Sequence, residues 1–140
     1  MELTLIFTLG EELYGLEIDA IQEIIEDPVF HHVPLAEGAL KGAINFHGQI
    51  LAVIDLPELL GFTSEKRDHR YVVLTPQCKA MVLAVSTIVR IARLDLSFLQ
   101  PAAEETDNSS IRGVAYLEDK GVKLLDTDQI IHQLERIYTE

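Results

Sequence analysis

The sequence predicts a mainly β chain folded as two small closed barrels of about five short strands each, sharing an apolar interface. Three observations predict it. First, the chain repeats itself. Residues 42–55 (GAINFHGQILAVID) align without a gap on 113–126 (GVAYLEDKGVKLLD), 71 positions later. Upstream, 16–21 falls on 83–88 and 5–8 on 72–75, both 67 positions apart. Strand composition is biased enough to align by chance. Agreement of a Gly, an Asp and a following helix in both copies argues against chance. Second, the apolar residues alternate, as they do on strands with one buried face. Third, 48% of residues are hydrophobic, with no Trp, and Leu, Ile and Val dominate. That is enough apolar material for a core. A unit of this size holds too many strands for an open sheet, and closure removes the exposed edges.

Taken in order, Leu3, Leu5, Phe7 and Leu9 alternate with Glu2, Thr4, Ile6 and Thr8, a strand with one buried face. Gly10-Glu11-Glu12 turns the chain, and Leu13 to Ile18 pairs back. Asp19 with Gln22 resembles a capping box, yet Ile21, Ile24 and Ile25 equally suit a strand. Asp27-Pro28 interrupts this element, and His31 to Pro34 is extended. Leu40 to Leu56 is a hairpin with its tip at Asn45 to Gln49, where Gly48 takes φ > 0 without a Cβ penalty. Asp55, Pro57 and Gly61 then cap, start and stop a short helix. Residues 63–70 (TSEKRDHR) lack apolar periodicity and read as a polar linker. The second half runs as a strand from Tyr71 to Thr75, a turn at Pro76 to Lys79, a strand from Ala80 to Val85, and a strand over Val89 to Leu94. Residues 101–110 (PAAEETDNSS) read as a mobile acidic loop. Asp119-Lys120-Gly121 turns a second hairpin. Asp126 with Gln129 caps a last helix, whose stripe is Ile130, Ile131, Leu134, Ile137 and Tyr138.

A net charge of −12 repels phosphate backbones and anionic lipid, which removes nucleic acid and membrane surfaces as partners. The single Cys78 leaves no internal disulfide and no CxxC site, which suits a reducing cytosol. No apolar run approaches the ~18 residues of a membrane span. Met-Glu-Leu-Thr does not open a signal peptide. A soluble cytoplasmic location is expected.

Ile21-x-Glu23-Ile24-Ile25, then Pro34, then Lys41-Gly42-x-Ile44-Asn45-Phe46-x-Gly48-x-Ile50, then Val53-Ile54-Asp55-Leu56 resembles CheW-type chemotaxis coupling proteins. That pattern reads roughly V-x-E-I-I, P, G-V-I-N-L-R-G and P-V-I-D-L. Ala84 to Ile88, Ile111-x-Gly113 and Leu124-Leu125-Asp126 extend the likeness along essentially the whole chain. The resemblance implies a single CheW-like domain over residues 1–140, made of two SH3-like five-stranded barrels with a C-terminal helix. Its subdomains would be about 10–75 and about 76–128, the latter with the N-terminal strand and C-terminal helix, or else halves 1–66 and 67–140. It implies a non-enzymatic adaptor without cofactors. The partners would be a chemoreceptor cytoplasmic tip, in the groove between lobes, and a CheW-like kinase regulatory domain, on strand surfaces. Carried over by position, the contact residues would be Glu23, Ile25, Gly42, Asn45, His47 and Gly48. Three positions depart from the pattern. His47 replaces an arginine, Ser86 an aspartate and Ala52 a proline. An arginine fork always carries charge and holds a carboxylate bidentately, which a neutral imidazole does not. The alternative is a stand-alone CheW-like module outside chemotaxis, regulating another system or self-assembling through its lobes.

A third reading is a small β-barrel enzyme, using His31, His32, Cys78 or Asp55. The residues argue against it. Adjacent His31 and His32 on an extended segment point to opposite faces, and no CxxC or HExxH pattern joins them. His47 and Asp55 sit at opposite ends of a strand, roughly 25 Å apart if extended. Ser86 has no G-x-S-x-G elbow. Cys78 has no histidine nearby in sequence. Asp19, Asp55 and Asp126 each suit a helix cap. Glu23, beside Ile21, Ile24 and Ile25, is either a solvated strand carboxylate or a contact residue.

Overall fold

The computed structural model describes residues 1–34, 37–101 and 110–138. Its strands are β1 (Glu2–Leu9), β2 (Glu12–Glu17), β3 (Ile21–Glu26), β4 (Leu40–Phe46) and β5 (Gln49–Asp55). After helix α1 (Leu56–Leu59) come β6 (Arg70–Leu74), β7 (Val82–Ala84), β8 (Thr87–Leu94), β9 (Ile111–Leu117) and β10 (Lys120–Leu125). Helix α2 (Thr127–Tyr138) closes the chain. Two five-stranded sheets form, as the sequence predicts. The first lobe has the order β8-β1-β2-β10-β9, the second β3-β6-β7-β5-β4.

The repeat is a structural one, and its register matches residue for residue. Gly42 pairs with Val53, and Gly113 with Leu124, in equivalent antiparallel hairpins. Both hairpins carry a bulge beside that glycine, at Lys41 and at Arg112. Val53 pairs in parallel with Val82, and Leu124 in parallel with Gly15. Leu5 faces Ile91 as Val72 faces Ile24.

Yet neither half builds its own sheet. The β1–β2 hairpin joins β8, β9 and β10, while β6 and β7 join β3, β4 and β5. The chain crosses between lobes twice, at a 3-10 turn over Ile18–Ala20 and at residues 85–86. The second lobe's strands are therefore contiguous from 21 to 84 and inserted within the first. This differs from both sequence divisions. Halves 1–66 and 67–140 each supply strands to both sheets, and boundaries near 10 and 75 misplace β2 and β7. Local periodicity specifies a hairpin but not the sheet it enters.

Three apolar clusters result. Ile6, Ala92, Leu94, Ala115, Val122 and Leu124 fill the first lobe. Ile44, Phe46, Leu51, Val53, Val73 and Val82 fill the second. A larger cluster drawn from both lobes lies between them, with Leu5, Phe7, Leu56, Leu74, Leu83 and Ile130 among its members. Hence β1 is buried on both faces, not one: Leu5 and Phe7 face the shared core, while Ile6 faces the lobe interior. Leu3, expected inside, is exposed.

Other details depart from expectation. Residues 18–25 form both candidate elements in succession, a 3-10 turn and then β3. The second hairpin turns at Glu118 and Asp119, both at positive φ, one residue before the expected turn. On α2, Ile130, Ile131 and Leu134 are buried, but Ile137 is exposed. Tyr138 is not core either. Its hydroxyl donates to the Glu37 carbonyl at 2.8 Å and accepts from the Leu40 amide at 3.0 Å. The acidic loop over 101–110 falls mostly outside the described residues.

Candidate partner-binding surface

The tip of the β4–β5 hairpin is built by two residues at positive φ, His47 at 51° and Gly48 at 84°. That pair of angles gives the primed turn whose twist matches the flanking strands. Asn45 fixes the turn from within, its Oδ1 accepting the Gly48 amide at 2.9 Å. The His47 ring lies edge-on to Phe46, with centroids 4.3 Å apart. Its Nε2 lies 3.6 Å from Glu23 Oε1 on β3. The first and last strands of this lobe thus meet at the tip. Glu23, Asn45, His47 and Gly48 form one exposed cluster, although Glu23 lies far off in sequence. Ile25, two residues along β3, is half-buried against the lobe interior.

Gly42 differs from the other five. It is buried, with φ at 152°, and a Cβ there would stand 3.0 Å from the His31 carbonyl oxygen. The backbone of residue 31 bridges to Ala43 at this point. Gly42 serves that close approach. His31 is accordingly held through its backbone. Among the described residues, no group of three or more His, Cys, Asp or Glu side chains is arranged to hold a metal.

The first lobe has an equivalent tip at Glu118 and Asp119, at φ 51° and 67°. There Arg90 Nη2 on β8 lies 3.3 Å from Glu118 Oε1. Glu23 and Arg90 occupy equivalent repeat positions, as do His47 and Glu118. The two tips therefore carry equivalent cross-strand pairs with the acidic and basic side chains exchanged.

The 63–70 stretch is more than a polar linker. Arg67 grips the buried Asp55 carboxylate with both arms of its fork, Nε to Oδ1 at 2.7 Å and Nη2 to Oδ2 at 2.9 Å. Its Nη1 also donates to the Ser64 and Lys66 carbonyls. The hydrogen bond with Asp55 raises the Arg67 pKa despite its partial burial. Asp55 stands at the N-cap of α1 but makes no side-chain cap bond, in contrast to the capping role expected of it. Asp19 lies inside the 3-10 turn and does not cap either. Asp126 does cap, its Oδ1 accepting the Gln129 amide at 3.2 Å. Asp68 is buried. Burial pushes its carboxyl up, but bonds from the Arg70 guanidinium and from the Ile88 and Arg70 amides outweigh this and hold it well below the usual carboxylate range. Alternating charges in TSEKRDHR were the sequence signal for these pairs, though not for their partners.

Ser86 is fully buried, and its Oγ accepts the Gly10 amide at 2.9 Å, so it ties the β1–β2 turn to the crossover. Cys78 is half-buried beside the hydroxyls of Thr75 and Thr127. No helix among the described residues is long and apolar enough to cross a membrane.

Comparison with known proteins agrees with this geometry. The CheW-like domain model matches residues 3–135. The chain is 27% identical to a chemotaxis protein CheW of Rhizobium meliloti, over 93% of this chain and 87% of that protein. It is 25% identical to a chemotaxis protein CheW of Helicobacter pylori, covering 89% of this chain and 78% of the other. The crystal structure of the scaffolding protein TtCheW from Thermoanaerobacter tengcongensis superposes with a TM-score of 0.78 at 25% identity, covering 89% and 88% of the two chains. With the whole two-lobed fold matched, and not one lobe alone, the chain belongs to the CheW-like domain family.

Proposed function

We infer that this chain is a non-enzymatic scaffold of chemotaxis-type signalling, coupling chemoreceptors to a histidine kinase in the cytoplasm. The observation that carries the reading is the family match over residues 3–135, together with the likeness of the whole fold to a scaffolding protein. The surface chemistry agrees with it. The pairs at the two hairpin tips and the part-buried Asp55–Arg67 and Asp68–Arg70 pairs place no nucleophile beside a base. The exposed Glu23, Asn45, His47 and Gly48 cluster, with Ile25 behind it, is the docking edge of the second lobe. Gly42 shapes that edge from below. Backbone-led recognition suits such an edge, because hydrogen bonds to strands supply affinity and side chains supply selectivity.

Titration calorimetry with the kinase regulatory domain and with a receptor-tip fragment, both from the same gene neighbourhood, tests this reading. Saturable one-to-one binding of both is expected. Binding of neither removes the adaptor assignment.

A further inference from the structure

Among the described residues two strand-to-strand crossovers join the lobes, at 18–20 and at 85–86, while α2, leaving β10 of the first lobe, also meets the second lobe through Tyr138 and Gln133. The second crossover is held from both sides. From the first lobe, the Thr8 carbonyl accepts the Ser86 amide at 3.0 Å, and Gly10 donates to Ser86 Oγ. From the second lobe comes the segment that leads into β6. The Asp68 amide donates to the Val85 carbonyl at 3.0 Å. Asp68 Oδ2 accepts the Ile88 amide at 2.7 Å, and Arg70 Nη2 donates to the Ile88 carbonyl at 3.1 Å. Asp68 Oδ1 accepts both the Arg70 amide at 2.9 Å and Arg70 Nε at 3.0 Å, while Arg70 Nη2 reaches Oδ2 at 3.0 Å.

Ile88 is the second residue of β8, an end strand of the first lobe. Its amide and carbonyl are thus met by a carboxylate and a guanidinium of the other lobe, which act as a strand would. Charge-assisted, bidentate bonds are short and directional. The apolar core between the lobes has no such directionality. The repeat places Met1 and Leu3 where Asp68 and Arg70 stand, each 67 positions apart, so the ion pair belongs to one crossover alone.

We propose that Asp68 and Arg70 are positioning residues that lock the crossover at 85–86, fixing the orientation of the two hairpin tips relative to each other. This rests on the adaptor reading in one respect. A scaffold that joins two partners controls one by the other only if its two docking surfaces keep a fixed angle. Loosening the clasp leaves each lobe's own surface intact and uncouples them.

The test uses the full-length chain with Cys78→Ser, and spin labels at Gln49→Cys and Lys120→Cys, exposed and repeat-equivalent sites near the two tips. Pulsed dipolar spectroscopy is expected to give one narrow distance distribution. Asp68→Asn, or the milder Arg70→Gln where Asp68→Asn fails to fold, is expected to broaden it. Binding of each partner separately should stay within about twofold, while receptor-dependent control of the kinase falls about tenfold. A folded variant with an unchanged distance distribution overturns the clasp. A broadened distribution with unchanged kinase control overturns its functional role. Should the unlabelled parent protein bind neither partner, the adaptor reading falls, and the distance distribution still decides the clasp.

Discussion

The two lobes share one backbone plan and almost none of its surface chemistry. Each has a hairpin with a bulge, a glycine overlaid by a bridging segment, and a primed turn whose tip pairs with an end strand. At the tips the side-chain types are exchanged: acid on β3 and imidazole on the turn in the second lobe, guanidinium on β8 and acid on the turn in the first. After the hairpins, Asp126 caps a twelve-residue helix, whereas its equivalent Asp55 is held by Arg67. Duplication preserved what the backbone requires. The side chains that face solvent differ, and there the two tips become chemically distinct.

The shared glycines give the largest expected effect. A Cβ on Gly113 would stand 2.8 Å from Leu99 Cβ and 2.9 Å from the Gln100 carbonyl oxygen; on Gly42 the nearest atom is 3.0 Å away. Gly113→Ala should cost about 3 kcal/mol and Gly42→Ala about 2 kcal/mol in urea unfolding. Equal and negligible costs would mean that the bridging segments yield freely.

Next come the two aspartates. Asp55→Ala removes a bidentate, largely buried pair and should cost about 2 to 3 kcal/mol, whereas Asp126→Ala removes only a cap bond, about 1 kcal/mol. The reverse order of melting temperatures would break this contrast.

Acid sensitivity should also be lopsided. Asp68 keeps its proton off in the folded state further into acid than in the unfolded chain. Its contribution is therefore complete above about pH 5 and lost progressively below about pH 4. Asp68→Asn should flatten the stability profile over that range, as read by denaturant midpoints at each pH.

The tips should matter least to stability. His47→Ala and Glu118→Ala each remove an exposed pair and should shift stability by less than about 0.5 kcal/mol. They are expected to separate in binding instead. His47→Ala should weaken the partner that docks on the second lobe and leave the other unaffected. His47→Arg supplies a permanent charge opposite Glu23 and should strengthen it. No effect of His47→Ala on either partner would contradict a docking role for the Glu23, Asn45, His47 and Gly48 cluster.

Much of this was legible in the sequence, because hairpins and caps are local. Gly48, the 42–55 and 113–126 alignment and the Asp126 cap needed no knowledge of the rest of the chain. The exchange of hairpins was not legible: the alternation in β1 and β2 is the same whichever sheet they join. Double burial of β1 follows from its interior position, between β8 and β2, in a sheet that also faces the other lobe. Asp55 read as a cap because its neighbours Pro57 and Gly61 fit a helix; the partner that claims it lies twelve residues on, in a segment with no periodicity to place it. The tip cluster was half legible. Asn45, His47 and Gly48 are neighbours, but Glu23 joins them only when the lobe closes.

The most direct measurement of the adaptor assignment is simultaneous occupancy. Mass photometry of the chain with the kinase regulatory domain and a receptor-tip fragment should resolve a ternary complex that contains all three. Saturating one partner should leave the affinity for the other within about twofold. Displacement of one partner by the other, with no ternary species at any ratio, would contradict a scaffold that holds both.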